Sequence, residues 1–313
     1  MSKHRLVDAL LFAALASLPL WASGYVQDLA TKVMILALFA LSLQLLVGVT
    51  GLVSLGHAAF LGIGAYVTVL FSPANEAGNL LALMLASCVA AGAYALLVGV
   101  LSLRTQGVYF IMVTLAFAQM AYFVFHDTQL GGGSDGIYLN VRPALQMPGV
   151  MLDLENKLTL YGGVLIVLLT AYLGLGVLLR SRFGAALQGI RVNEQRMRAA
   201  GFNTFSYKLA AFVLAGALAG LAGFLLASKD AVVNPELLAW HESGAVLLML
   251  ILGGLHSLRG ALVGATAFTL LKELLSSEAL LGSVAAHWQL TLGLSVIACV
   301  VFMPRGIMGL SKT

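Results

Sequence analysis

The sequence predicts an all-α polytopic membrane protein, one transmembrane domain over residues 1–313, and three observations predict it. Apolar segments long enough to enter hydrocarbon recur along the chain, which is 60% hydrophobic. Only 10% of the residues are charged, where soluble domains carry about a quarter. The basic residues gather in connections on one side of those segments, as membrane orientation requires. The net charge of +4 and the pI of about 9.1 therefore follow from orientation in a membrane and not from nucleic-acid binding.

The apolar segments are 7–24, 33–50, 57–71, 80–101, 107–125, 158–179, 209–227, 244–256, 261–275 and 289–303, about ten transmembrane helices (8–10). Several fall short of the roughly 20 residues that a perpendicular crossing needs, so broken or half-membrane helices are expected. Glycine interruptions place them at 50–66 and 244–275. The first segment imitates a secretory signal, with a basic start, an apolar centre and small residues before Gly24. A retained first helix with the N-terminus inside is the expectation. Ten spans then put Lys3, Arg5, Arg104, Arg180, Arg182, Arg191, Arg196, Arg198, Lys208, Arg259, Arg305 and Lys312 on the inner side, twelve of the seventeen basic residues. Lys32, Arg142, Lys157, Lys229 and Lys272 fall outside, and both termini are cytoplasmic. Two outer segments, 126–157 and 228–243, are too long for simple turns and are expected to form a docking surface or a lid. Gly51-Leu52-Val53-Ser54-Leu55 and Ala58 are echoed by Gly254-Leu255-His256-Ser257-Leu258 and Ala261, as in transporters built from repeats.

Enzymatic signatures lack their context. The loop Gly131-Gly132-Gly133-Ser134-Asp135-Gly136 fits both a dinucleotide fingerprint and a nucleophile elbow, but the strand and helix that either needs are missing. No Gly-Lys dipeptide occurs, so the chain has no P-loop. His4, His57, His126, His241, His256 and His287 are scattered without metal-ligand spacing, and no metal is expected. Cys88 and Cys299 lie far apart in apolar spans and read as small core residues.

Polar groups at membrane depth are costly and face protein or water. Gln44, Ser54, His57, Tyr109, Thr114 and Gln119 are therefore candidates for a translocation path, with Thr68 beside them; interhelical hydrogen bonding is the competing role. Gly216-x-x-x-Gly220 and Gly260-x-x-x-Gly264 are expected to be helix-packing faces.

The stretch Arg180–Lys208 is the one long polar segment of concentrated positive charge, with Glu194 as its single acid. Phe183, Leu187, Ile190 and Met197 recur at helical spacing, so residues 183–200 are expected to form one short amphipathic helix. Such a helix suits either a lipid surface or a groove on a soluble partner.

Here the sequence resembles a known family. SRFGAALQGIRVNEQRMRAAGFNTFSYKLAAFVLAGALAGLAG (181–223) is similar to the coupling region of LivM-like permease subunits of branched-chain amino-acid-type ABC transporters. GLVSLGHAAFLGIGAY (51–66), LRTQGVYFIMVTLAFAQM (103–120), GGSDGI (132–137), LLMLILGGLHSLRGALVGA (247–265) and PRGIMGL (304–310) extend the resemblance in the same order. It implies an ABC importer permease fold in the bacterial inner membrane and import of branched-chain or related amino acids by alternating access. The implied partners are a second homologous permease, two cytoplasmic ATPases and a periplasmic solute-binding protein. ATP and Mg would be bound by the ATPases, leaving this chain without a cofactor. The implied ATPase-coupling residues are Gly184, Leu187, Ile190, Arg191, Asn193, Glu194, Arg198 and Gly201. Urea, amides and aromatic or carboxylic compounds are alternative substrates within the wider family. A secondary transporter driven by an ion gradient is the reading from another class, and His57 is the one central ionisable group it would have.

Overall fold

The computed structural model describes residues 3–147, 150–255, 257–277, 282–303 and 305–312. His256 and Pro304 of the motifs above lie outside these residues, as do the side chains of Lys3, His4, Arg5 and Lys312. Twelve helices are described: α1 Lys3–Ser17, α2 Gly24–Gln44, α3 His57–Phe71, α4 Leu80–Ser102, α5 Val108–Asp127, α6 Lys157–Arg180, α7 Arg182–Val192, α8 Glu194–Ala199, α9 Thr204–Asp230, α10 Trp240–Gly253, α11 Leu258–Ser276 and α12 Trp288–Phe302. Each of the ten apolar segments is helical, and α7 and α8 occupy the basic stretch between two of them.

Among the described residues, six spans are long and apolar enough to cross a membrane: Gly24–Thr50, which adds a π-helical turn Leu45–Thr50 to α2, then α4, α5, α6, α9 and Ala285–Gly309 around α12. A seventh arises if α10 and α11 count as one span bent by 113°. α1 and α3 are shorter apolar helices. The expected broken and short pieces thus account for the difference between ten apolar helices and six or seven full crossings.

Local sequence explains where the helices begin. Asn79, Asn156, Asn193 and Asn203, with Ser23, Ser181 and Ser257, accept hydrogen bonds from the first-turn amides of α4, α6, α8, α9, α2, α7 and α11. These short polar side chains satisfy donors that a helix start leaves unpaired.

Long-range contacts fix which helix ends share a side. Arg259 meets Asp8 at 2.6 Å, and Arg191 reaches the carbonyl of Gly48. At the opposite end Lys229 pairs with Asp28 at 3.2 Å, Tyr25 donates to Glu273, and the Tyr161 hydroxyl donates to Leu15 O at 2.6 Å. The helices therefore alternate in direction, with the start of α1 and the end of α12 on the side of α7 and α8. That basic end carries nine described basic side chains and two acids, Asp8 and Glu194, and the acidic end carries five and ten.

The core forms around α2, whose span is 89% buried. α9 packs on α3 and α4 along a seam of small residues. A Cβ on Gly64 would lie 2.2 Å from Gly220 O, one on Gly223 2.0 Å from Leu61 O, and one on Gly216 2.4 Å from the Ala95 Cβ. α10 and α11 meet as closely, since Gly264 is placed against Met249 O and Gly253 against Gly260 O. Without a hydrophobic driving force between helices in lipid, such close backbone approach supplies the packing energy. The two long outer segments hold the strands described: β1 Ile137–Tyr138 pairs antiparallel with β4 Val232–Val233, and β2 Ala144–Met147 with β3 Val150–Asp153.

Gly223→Val is expected to lower thermal stability in detergent by about 1–3 kcal/mol, the usual cost of overpacking. Gly162→Val in α6, where an added Cβ meets nothing within 4 Å, is expected to leave the unfolding midpoint within experimental scatter.

Candidate functional site

Two breaks in the helices converge at the basic end. The first runs from the π-helical turn through residues 51–56 to α3, and Gly51 ends the turn at φ +76°, a conformation natural to glycine. The second, 254–257, separates α10 from α11, with Gly254 at φ +113°. Non-helical backbone at membrane depth must find partners inside the protein, and side chains provide them. Arg191 donates to Gly48 O, Gln44 Nε2 to Leu255 O at 2.5 Å, Ala58 N to Ser243 Oγ at 2.8 Å and Gly56 N to Ser54 Oγ at 3.3 Å.

The candidate path residues are divided by this arrangement. Gln44 lines a cavity of about 360 Å³ together with Gly48, Leu179, Gln188, Arg191, Val192 and Leu258. Ser54, His57 and Thr114 are fully buried against neighbouring helices. The His57 ring is stacked on Phe39 with centroids 5.4 Å apart, and its Nε2 lies 2.7 Å from Ser42 Oγ. Thr114 donates to Ile111 O at 2.9 Å, and its own carbonyl faces Gly56 so closely that a Cβ there would come within 2.2 Å. Tyr109 and Gln119 sit instead on the outward side of α5, Tyr109 exposed and Gln119 half-buried. Thr68 is buried and bonded to Gly64 O and Ser87 Oγ.

The basic stretch does not form one helix. It divides at Asn193, whose backbone is extended at φ −157° and whose side chain accepts from Arg196 N at 2.9 Å. An asparagine that can cap a new helix competes with continuation of the old one. α7 docks by Gly184, Leu187 and Ile190, all buried, and Phe183 stacks on Tyr207 of α9 with centroids 5.6 Å apart. Gly184 lets α7 start tight against the end of α6, because a Cβ would lie 2.5 Å from Leu179 O. α8 is pinned by Glu194, which accepts from Arg198 Nη2 at 2.7 Å, Thr204 Oγ1 at 3.0 Å and Lys208 Nζ. Partial burial alone would raise the Glu194 pKa; hydrogen bonds from Lys208, Thr204 and Arg198 with the Lys208 charge outweigh it and hold the carboxyl below its ordinary value. Gly201, at φ +89°, lets the chain turn into α9.

Arg191 and Glu194, expected to sit in the segment that meets a partner, thus bond within the chain. The outward surface includes Arg182, Gln188, Arg191, Val192, Asn193, Gln195, Arg196 and Arg198, and Val192 is 86% exposed. An apolar residue standing between Arg191 and Asn193 at the joint was the sequence signal for this surface. Thr204 and Ser243 also act here, and nothing local in the sequence marks them. A second cavity of about 480 Å³ lies beneath the α4–α5 turn, lined by Thr105, Gln106, Arg191, Glu194 and Lys208 among others. No group of three or more potential metal ligands converges among the described residues.

Comparison with known proteins gives a consistent result. The family model described as branched-chain amino acid transport system, permease component, matches residues 25–301. The high-affinity branched-chain amino acid transport system permease protein LivM of Salmonella typhimurium is 29% identical over 330 residues, covering 99% of this chain and 76% of the relative. LivM of Escherichia coli K12 is 28% identical with the same coverage. LivH of that organism, a permease protein of the same transport system, is 26% identical over 287 residues, covering 87% of this chain and 91% of LivH. No solved structure matches the chain significantly.

The Glu194 anchor has a definite pH dependence. Its folded pKa lies below the ordinary 4.5, so its stabilisation is complete above that value and is lost as pH falls through the folded pKa. Amide exchange across α8, corrected for intrinsic rates, is expected to accelerate as the pH drops below about 4.5. Glu194→Gln is expected to exchange about tenfold faster at neutral pH, equivalent to about 1.4 kcal/mol, and to lose the acid-dependent component.

Proposed function

The chain belongs to the permease-component family of branched-chain amino acid transport systems, and from that premise we propose that it is one half of the membrane pathway of an ATP-driven importer for amino acids of the leucine, isoleucine and valine class. It is a multi-pass membrane protein and a transporter permease, not an enzyme by itself. Similarity to both LivM and LivH of one organism supports a second, homologous permease as its partner, with the solute path between the two. We assign Tyr109 and Gln119, on the outward side of α5, to the lining of such a path; their exposure there supports the assignment.

The observation that carries the proposal is the α7–α8 hairpin. It packs on the end of the bundle through Leu187 and Ile190, is anchored by Glu194 to α9, and presents Val192 at 86% exposure beside Gln188, Gln195 and Arg196. An isolated apolar tip on a stiff mount suits insertion into a groove on a soluble protein. That partner is a cytoplasmic ATPase, two of which would hold the ATP and Mg that drive the cycle. The basic end then faces the cytoplasm of a bacterium, in accord with the charge rule for inner-membrane proteins. A periplasmic solute-binding protein would deliver the amino acid to the acidic end. Closure of the ATPases moves the hairpins, and the two permeases rock between inward- and outward-open states whose relative stability the ATP cycle shifts.

The test is reconstitution of the chain with its partner permease, ATPases and binding protein in liposomes. Leucine, isoleucine and valine uptake is expected to require ATP, with urea excluded. Uptake driven by an ion gradient without ATP would establish a secondary transporter instead. Val192→Asp is expected to cut ATP-driven leucine uptake about tenfold or more, since an unpaired charge entering an apolar socket costs several kcal/mol. Membrane insertion of that variant, measured by flotation of the chain with the lipid fraction, is expected to be unchanged.

A further inference from the structure

Between α7 and the beginning of α11 there is a void. The cavity of about 360 Å³ is bounded by Gln188, Arg191 and Val192 on one side and by Leu258 on the other. Packed side chains cannot transmit a displacement across that gap, and energetic coupling needs a contiguous physical connection. The connection present is polar. Arg191 of α7 grips the Gly48 carbonyl in the π-helical turn, and one helical turn earlier Gln44 donates through Nε2 to the Leu255 carbonyl in the α10–α11 break. Gly48 lies between the two bonds, and a Cβ on it would come within 2.2 Å of Gln44 Nε2 and 2.5 Å of Leu255 O. The absence of a side chain at Gly48 is what lets α2, the coupling hairpin and the break come together at one point.

Both ends of this bridge belong to elements able to move. The hairpin is a short pair of helices that no long span continues, seated on the bundle by Leu187 and Ile190, and the break is a 113° bend with Gly254 in a conformation that few other residues adopt. α2, between them, is the most deeply buried span, and the end of that span carries both bonds.

We infer that Gln44 is a positioning residue for energy coupling: with Arg191 and across Gly48, it relays displacement of the α7–α8 hairpin to the α10–α11 break. The relay rests on the importer reading above and adds to it the route by which the hairpin reaches the far half of the bundle. Gln44 does not contact solute in this scheme; it sets the position of the break that shapes the path.

The measurement is the number of leucine molecules imported per ATP hydrolysed by the complete complex in liposomes. Gln44→Met removes the donor, and Gln44→Glu, which keeps the side-chain volume and exchanges the donating nitrogen for oxygen, serves if the first variant does not assemble. Either is expected to lower the ratio at least about fivefold, the low end of ordinary coupling between sites. Arg191→Met is expected to lower it similarly, Arg191→Lys, which keeps a donor, to restore much of it, and the Gln44→Met, Arg191→Met double variant to fall no further than the worse single one. An unchanged ratio, including uptake and hydrolysis declining in parallel, overturns the relay, as does a double variant whose loss is the product of the two. Those outcomes leave the importer reading standing, because the wild-type complex still imports leucine. Failure of the wild-type complex to import leucine with ATP overturns that reading, and the relay with it.

Discussion

In hydrocarbon a backbone carbonyl or amide without a partner costs several kcal/mol, and water is not there to supply one. A chain that stays helical avoids the cost, whereas one that breaks its helices must bring a donor or an acceptor to each exposed group. Among the described residues this chain breaks its helices twice near the basic end, at 51–56 and between α10 and α11. Arg191, Gln44, Ser54 and Ser243 are drawn from four different elements to meet the carbonyls and amides set free. The position of α2 at the centre follows from the same constraint, because both breaks are served from its C-terminal turns. So does the density of glycine, since partners can reach the backbone only where side chains do not intervene.

This accounts for what the sequence shows and what it conceals. The ten apolar segments are legible because lipid demands them individually, and each proves helical. The helix starts are legible because Ser and Asn caps act within three residues of themselves. The seams at Gly216, Gly220, Gly260 and Gly264 are legible because the spacing of small residues reports a face. The direction of Arg191 and Glu194 is not legible. A guanidinium and a carboxylate in a basic loop look alike whether they meet a partner or their own chain, and the Gly48 carbonyl that Arg191 binds is 143 residues away in sequence. Gln44 and Ser54 have the same ambiguity: a polar residue at membrane depth is needed equally by a passing solute and by a broken helix. The division of the basic stretch at Asn193 could have been seen, because an asparagine followed by Glu194 is a helix-start pattern.

The hairpin and the small-residue seam complement one another mechanically. α3, α4 and α9 lock backbone to backbone, leaving little freedom for sliding. The hairpin joins this block at the base of α9 through Glu194 and Lys208, so a push on its tip is delivered to a rigid body and not dissipated in a loop. Beside α7, by contrast, the contacts give way to a cavity. The fold therefore places its stiffness and its slack in different places.

The separation of charge between the two ends has a consequence for the life of the molecule in the membrane. Among the described residues, nine basic side chains and two acids at one end oppose five and ten at the other. Turning the chain over would draw these groups through the bilayer, and even on insertion scales each Lys, Arg or Asp costs about 2.5–3.5 kcal/mol at the centre of a helix. The total is tens of kcal/mol, beyond thermal reach on any biological timescale. The orientation adopted during synthesis is consequently a permanent record, written by a few arginines before the helices have packed. Any vectorial work the folded protein performs takes its sense from that early, irreversible step.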